Sequence, residues 1–327
     1  MLTPSDIGII LSYRCLTRCK HCLYACGLQW KDWFDPDELR EAVAAMHVWK
    51  HGFQVHLTGG EPFLNLPLLE EAVSIVAEGG IPQYVETNAS WCSDEETARE
   101  QLTRLHDRGL RAILISCSPF QCETIPLARV LLCAEVSAEL FGNDNVTLYL
   151  PHWAGVIARF GVEEPVPLQA YLDRYGEEKA GELFWEGYGL IGGGRSSYRL
   201  GHLTNRYPAS AFSGDDCRRE LLFPHHSHFD LYGNHISWFC GGLNVGRWRD
   251  LAQTIRDFEQ GRYPQIIEML VTGGASALFE FAGRNHDYEE LPDGYTSKCH
   301  LCVDVRKHLS TRDEFPELQP QQFYTEL

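Results

Sequence analysis

The chain has 327 residues and a formal net charge of −17, from 28 Lys and Arg against 45 Asp and Glu. That length suits one large α/β domain plus a smaller one, and the charge repels phosphate backbones and anionic bilayers, so neither nucleic acid nor a membrane is an expected partner. No apolar run approaches a membrane span and no secretory signal is evident, so the twelve cysteines point to a reducing, cytoplasmic setting and to metal in place of disulfides.

Strand and helix signals alternate from the start. Residues 7–11 read as a strand. Asp35, Pro36 and Glu38 open a helix with an N-cap, a proline at the first helical position and a capping-box partner. Leu39, Val43 and Met46 give that helix one apolar face, and Gly52 ends it. Residues 53–57 form a second strand and 67–78 a second helix. Residues 83–86 are a third strand, followed by a helix capped by Ser93 with Glu96. Residues 112–116, 126–141 and 146–150 are a strand, a helix and a strand. A helix over about 168–185 leads to a sixth short strand at 189–191. Such alternation predicts a parallel sheet with right-handed crossovers.

Cys15, Cys19 and Cys22 lie in a C-x3-C-x2-C run directly after the first strand. Three thiolates hold three irons of a [4Fe–4S] cube and leave the fourth iron open to a small molecule. The competing reading is zinc, with Cys26 or His21 as the fourth ligand. Gly59-Gly60-Glu61-Pro62 ends the second strand, where two glycines let backbone approach a ligand closely. The third strand delivers Glu86, Thr87 and Asn88. The fourth delivers Ser116 and Ser118 on one face, with Cys117 on the other. Gly192-Gly193-Gly194-Arg195 follows the expected sixth strand.

The cysteine run and the Gly-Gly-Glu-Pro run, in that order and after strands, resemble the radical S-adenosylmethionine (SAM) enzymes. The resemblance implies a partial (β/α)6 TIM-like barrel and a SAM-binding [4Fe–4S] cluster held by Cys15, Cys19 and Cys22. It also implies cleavage of SAM to a 5′-deoxyadenosyl radical that abstracts hydrogen from a substrate. By the same resemblance Gly59, Gly60, Glu61 and Pro62 meet the SAM amino group and His21 lies near its adenine. Thr87, Asn88, Ser116, Ser118 and Arg195 complete the expected cofactor contacts.

Periodicity breaks near residues 200–214, which suggests a core over 1–207 and a second unit over 208–327. Cys217 precedes a hairpin with arms at 226–232 and 235–239 around Gly233-Asn234. Cys240 ends the return arm, and Cys299 and Cys302 form a later C-x2-C. The order resembles the twitch half of a SPASM extension, in which four cysteines wrap an auxiliary [4Fe–4S] cluster; a structural zinc site is the alternative. The spacing is most similar to that of an alcohol-oxidising radical SAM dehydrogenase. His226 and His228 share one face of the hairpin arm and, with His225, read as substrate or structural hydrogen-bonding residues ahead of metal ligands. Cys122, in the loop past the fourth strand, reads as a small half-buried residue ahead of a radical or substrate partner.

The expected function is radical oxidation of a substrate, with the auxiliary cluster accepting an electron and a flavodoxin or ferredoxin supplying reductant. Only 14 residues precede Cys15, which leaves little room for a peptide-recognition domain and favours a small-molecule substrate. A peptide or protein maturase, and a non-enzymatic Fe–S or zinc-stabilised binding protein, are the alternatives.

Overall fold

The computed structural model describes residues 1–327. Four strand–helix units come first: β1 (Asp6–Ile10), α1 (Pro36–Met46), β2 (Gln54–Thr58), α2 (Leu66–Glu78), β3 (Gln83–Thr87), α3 (Glu95–Asp107), β4 (Ile113–Ser116) and α4 (Leu127–Phe141). Side chains close the exposed N–H groups at three helix starts, as capping requires. Asp35 accepts from Asp37 and Glu38, Asn65 from Leu68, and Asp94 from Thr97. The cap of α3 is thus Asp94 and not Ser93, whose hydroxyl instead donates to Asp94 at 2.6 Å. Strand β5 (Val146–Tyr149) follows, and β6 (His226–Asp230), β7 (Asn234–Ser237) and β8 (Gly246–Arg247) come much later.

The eight strands form one open sheet in the order β5-β4-β3-β2-β1-β6-β7-β8. Strands β1 to β6 run parallel, and β7 and β8 return antiparallel. This corrects the expected partial (β/α)6 barrel. No strand forms at 189–191: Gly189 has φ +77°, and the hydroxyls of Ser196 and Ser197 take the carbonyls of Ile191, Gly193 and Gly192 and fold the segment into a turn. The sixth parallel strand is β6, paired to the other side of β1. The hairpin expected in a unit starting at 208 therefore extends the sheet of the N-terminal part. The helix expected over 168–185 breaks at Gly176 (φ +78°) into Leu168–Tyr175 and Glu177–Glu182, then a π-turn over Leu183–Gly187.

Alternation along the strands sends Ile7, Ile9, Val55, Leu57, Val85, Ile113 and Ile115 into one core with Leu39, Leu69, Leu102 and Val130 of the helices. Each such side chain contributes about 1.5–3 kcal/mol on burial. The opposite face carries Asp6, Gly8, His56, Thr58, Tyr84, Glu86, His226, His228 and Asp230. A second core gathers Leu221, Ile266, Leu270, Leu301 and Val305 around the helices Gln265–His286 and Lys298–Leu309. The first of these is long and apolar enough to cross a membrane, at mean hydropathy 1.3, which corrects the expectation that no such segment exists. It is interrupted at Gly274, however, and Ile266, Ile267, Leu270, Val271 and Leu278 are buried in the second core.

Candidate active site: two cysteine clusters joined by a glycine–arginine loop

The loop leaving β1 folds back on itself through Gly27 N–H to Tyr13 O at 3.0 Å and Cys15 N–H to Gly27 O at 3.2 Å. Tyr13 stacks on Trp30 at 4.6 Å. Within this frame the Thr17 hydroxyl lies 3.1 Å from Cys15 Sγ and 3.4 Å from Cys19 Sγ. The amide of Asn88 donates to Cys15 Sγ at 3.4 Å, and the Cys26 N–H donates to Cys22 Sγ at 3.4 Å. Burial pushes the Cys15 thiol up to about 11 and the Cys19 thiol up to about 12. The Cys22 thiol is held well below its ordinary value, chiefly by a hydrogen bond from Cys26.

Gly59 and Gly60 are needed for packing against this loop. A Cβ at Gly59 (φ +138°) would lie 2.2 Å from Ser12 O, and one at Gly60 2.0 Å from Arg14 O. The backbones join through Gly60 N–H to Ser12 O at 2.7 Å and Glu61 N–H to Arg14 O at 2.9 Å. The close approach read from the sequence as one to a ligand is, in the structure, an approach to the cysteine loop. Pro62 begins a short 3-10 turn capped by Glu61.

The Glu61 carboxylate is buried and accepts from Phe63 N–H at 3.2 Å, Thr87 Oγ1 at 2.9 Å and Asn88 N–H at 2.8 Å. Burial raises it to about 7 against these three bonds. Thr87 Oγ1 also accepts from Ala89 N–H at 3.0 Å and Trp91 Nε1 at 2.9 Å. A hydroxyl has one donor and two acceptor positions, so Thr87 is saturated. It ties Glu61 to β3 and has nothing left for a cofactor, which corrects its expected role. Asn88 keeps its amide on Cys15 and accepts Ser90 N–H at 2.9 Å.

Ser116 is half-buried at the end of β4. Ser118 is buried and accepts Gln121 N–H at 3.3 Å. His21 stacks on Phe120 at 4.5 Å and meets the Tyr188 hydroxyl at 3.1 Å. One face of its ring is thereby occupied, and burial lowers it to about 3, which keeps it neutral.

Arg195 is 1% exposed. Its N–H donates to Cys22 O at 3.1 Å and its Nη2 to Cys26 O at 2.6 Å, while Nε and Nη1 have no partner. Gly194 (φ +56°) makes this possible, because a Cβ there would lie 2.4 Å from Cys22 O. Arg195 is therefore a buried cation and not a solvated surface charge.

Cys217, Cys240, Cys299 and Cys302 line one cavity. Ser297 caps the helix that carries the last two, by accepting His300 N–H at 3.2 Å, and their i, i+3 spacing puts both on one face. Burial raises Cys240 to about 12 and Cys299 to about 11, and raises Cys217 strongly. Lys298 and the buried Arg306 are the cations of this cavity. Gly193 and Gly194 line it too, and a Cβ at Gly241 would lie 2.2 Å from Leu23 O. One residue past Cys22 therefore packs on one residue past Cys240, and the Gly-Arg loop lies between the two cysteine sets.

Of the remaining cysteines, Cys26, Cys92, Cys117, Cys122 and Cys133 are buried. His225 packs against Trp238 at 4.3 Å, apart from His226 and His228, which instead meet His56 of β2. Sequence reasoning missed His56. The available signal was Gly8 in the middle of a strand, since such a glycine marks a close approach.

Residues 9–118 match the family model of the Radical SAM superfamily. Among solved structures, the chain is similar to BtrN in complex with AdoMet and 2-DOIA, at 13% identity and TM-score 0.38, covering 83% of this chain and 89% of that one. It is similar to anSMEcpe with bound AdoMet and Cp18Cys peptide at 12% identity and TM-score 0.40, covering 92% and 95%. A third is SuiB of Streptococcus suis bound to precursor peptide SuiA, at 11% identity and TM-score 0.38, covering 91% and 76%. Likenesses this distant do not bear on what the chain acts on. No curated protein matches.

The donor sets fit iron–sulfur groups. Thiolates are the ligands such clusters use, three converge in the first loop and four around the second cavity, and ligation would displace the protons that burial holds on Cys15, Cys19, Cys240 and Cys299. A buried guanidinium with two unpartnered nitrogens lacks a counter-charge, which an anionic thiolate cluster beside Cys22 would provide.

Proposed function

We propose that this chain is a radical SAM oxidoreductase acting on a small molecule, with a twitch-type auxiliary [4Fe–4S] cluster that accepts an electron from the substrate. In this reading Cys15, Cys19 and Cys22 hold the SAM-binding cluster and Cys217, Cys240, Cys299 and Cys302 the auxiliary one. When bound, the first cluster and SAM supply reductive cleavage of SAM and removal of a hydrogen atom from the substrate.

The chain's own residues do the rest. Gly60 and Glu61 clamp the cysteine loop to the ends of β2 and β3. Asn88 and Arg195 place an amide and a cation beside the thiolates, and hydrogen bonds of this kind tune cluster potential. The polar sheet face receives the substrate. A two-electron oxidation balances as one hydrogen atom to the SAM-derived fragment, one electron to the auxiliary cluster and one proton to water. A flavodoxin- or ferredoxin-type donor supplies the electron for SAM cleavage.

The observation that carries the oxidative reading is the contact of Leu23 with Gly241, which leaves only those two residues between Cys22 and Cys240 along the packing path. A substrate between such sites would have an electron acceptor at hand. The test is anaerobic reconstitution followed by iron analysis and Mössbauer spectroscopy. Two [4Fe–4S] clusters, about eight irons per chain, support the proposal; stoichiometric zinc at the late cysteines removes the auxiliary cluster from it.

A further inference from the structure

Strands β2, β1 and β6 lie side by side with His56, Gly8 and His228 in one row, since Gly8 pairs with both histidines. Gly8 has no side chain, and both rings fill the space above it. A Cβ at Gly8 would lie 2.6 Å from His56 Nε2 and 2.7 Å from His228 Nε2. His226, two residues before His228 and on the same face, brings its Nε2 to 3.2 Å from His228 Nε2. The ligand atoms of the three histidines all lie within 4.8 Å of one another.

The surroundings aim these nitrogens inward. His56 Nδ1 lies 2.6 Å from Asp6 Oδ1, which fixes Nδ1 as the donor and leaves the Nε2 lone pair facing the cluster. That Nε2 makes no hydrogen bond although its side chain is fully buried, and Glu86 Oε1 lies 3.9 Å away. An unsatisfied buried group costs about 1–3 kcal/mol, and the space it faces is lined by two more imidazoles. The Tyr24 hydroxyl lies 3.0 Å from His228 Nδ1 and 3.4 Å from its Nε2; when it accepts from Nδ1–H, the His228 Nε2 lone pair is left for a ligand. A carboxylate on one ring nitrogen with the other nitrogen directed at a common point is the arrangement that orients imidazoles on a metal.

We propose that His56, His226 and His228 form a site for a divalent transition-metal ion, zinc by its donor set, on the polar face of the sheet and separate from both cysteine sets. Three imidazoles satisfy a tetrahedral ion at about 2.0–2.1 Å each and leave a fourth position open.

The experiment uses the full chain after anaerobic iron–sulfur reconstitution, so that the cysteines are occupied, dialysed against zinc and, separately, cobalt(II). Wild type is expected to retain about one zinc per chain. His226→Gln and His228→Gln are expected to lose it at unchanged iron content and circular dichroism, and Asp6→Asn to weaken it about tenfold or more. In the difference spectrum against the same reconstituted protein without cobalt, cobalt is expected to add d–d bands of a tetrahedral nitrogen–oxygen site and no new thiolate charge transfer. Wild type that binds no more zinc than the Gln variants overturns the proposal. If the variants do not fold, the cobalt difference spectrum of wild type decides alone: absent bands, or cobalt-dependent thiolate charge transfer, overturn it.

Discussion

The guanidinium of Arg195 donates to the carbonyl of Cys26 at 2.6 Å, across 169 residues of sequence, while two of its nitrogens have no partner. A buried cation without a counter-charge costs several kcal/mol, so its placement beside the Cys15–Cys22 loop makes sense with an anionic group next to it. Arg195→Gln removes the charge and keeps a donor. The expected outcome is a more negative midpoint potential for the first cluster and weaker iron retention there, with the second site unaffected. Anaerobic redox titration followed by electron paramagnetic resonance reads both; an unchanged potential contradicts the electrostatic role.

Glu61 gives a pH signature in the metal-free protein. Its folded-state value, raised by burial to about 7, lies above the ordinary value of 4.5. Between these values the unfolded chain has released the proton and the folded chain has not. The group's contribution is therefore fully present below about 4.5 and lost as pH rises through about 7, on the order of 3 kcal/mol in total. Glu61→Gln should flatten that slope. Urea denaturation at pH 5 and pH 7.5 measures it, and equal slopes in wild type and variant would count against the burial argument.

Two glycines separate packing from backbone freedom. At Gly60 a methyl group meets the Arg14 carbonyl at 2.0 Å, whereas at Gly155, inside the helix His152–Ala158, it meets nothing within 4 Å. Gly60→Ala should destabilise by about 1–3 kcal/mol through overpacking and lose iron from the first site alone. Gly155→Ala should stabilise by about 0.5–1 kcal/mol. Thermal melts and iron analysis of both variants check the pair.

If the second site accepts the substrate's electron, replacing Cys240 and Cys302 by alanine stops product formation while SAM cleavage continues, because hydrogen removal and electron removal occur at different places. The comparison is of 5′-deoxyadenosine and product yields in variants that retain the first cluster. Normal product yield would make the second site structural and move peptide crosslinking or rearrangement ahead of oxidation.

Much of this was legible from short-range pattern. The spacing of Cys15, Cys19 and Cys22, the Gly-Gly-Glu-Pro run and the cap at Asp35 act over a few residues, where sequence distance and spatial distance nearly coincide. Long-range pairing was not legible. Strand β6 reads locally as a hairpin arm, and nothing in residues 226–230 announces a parallel partner at residues 6–10. Thr87 looked available because Glu61, which takes its proton, lies 26 residues away, although Ala89 and Trp91 are local. Arg195 was expected to contact cofactor, but its burial against the carbonyls of Cys22 and Cys26 was not legible, because that loop is far away in the chain. His56 sits in an alternating strand and resembles an ordinary inward residue until β6 brings His226 and His228 over Gly8.

The central claim is that the first three cysteines and the turn clamped to them serve radical SAM chemistry, and SAM turnover by the reduced, reconstituted protein tests it most directly. The account predicts 5′-deoxyadenosine from wild type and none from Cys19→Ala, which removes one of the three thiolates and leaves the second cysteine site intact. Methylthioadenosine as the main specific product, or no SAM cleavage by protein whose first cluster is demonstrably present, would contradict it.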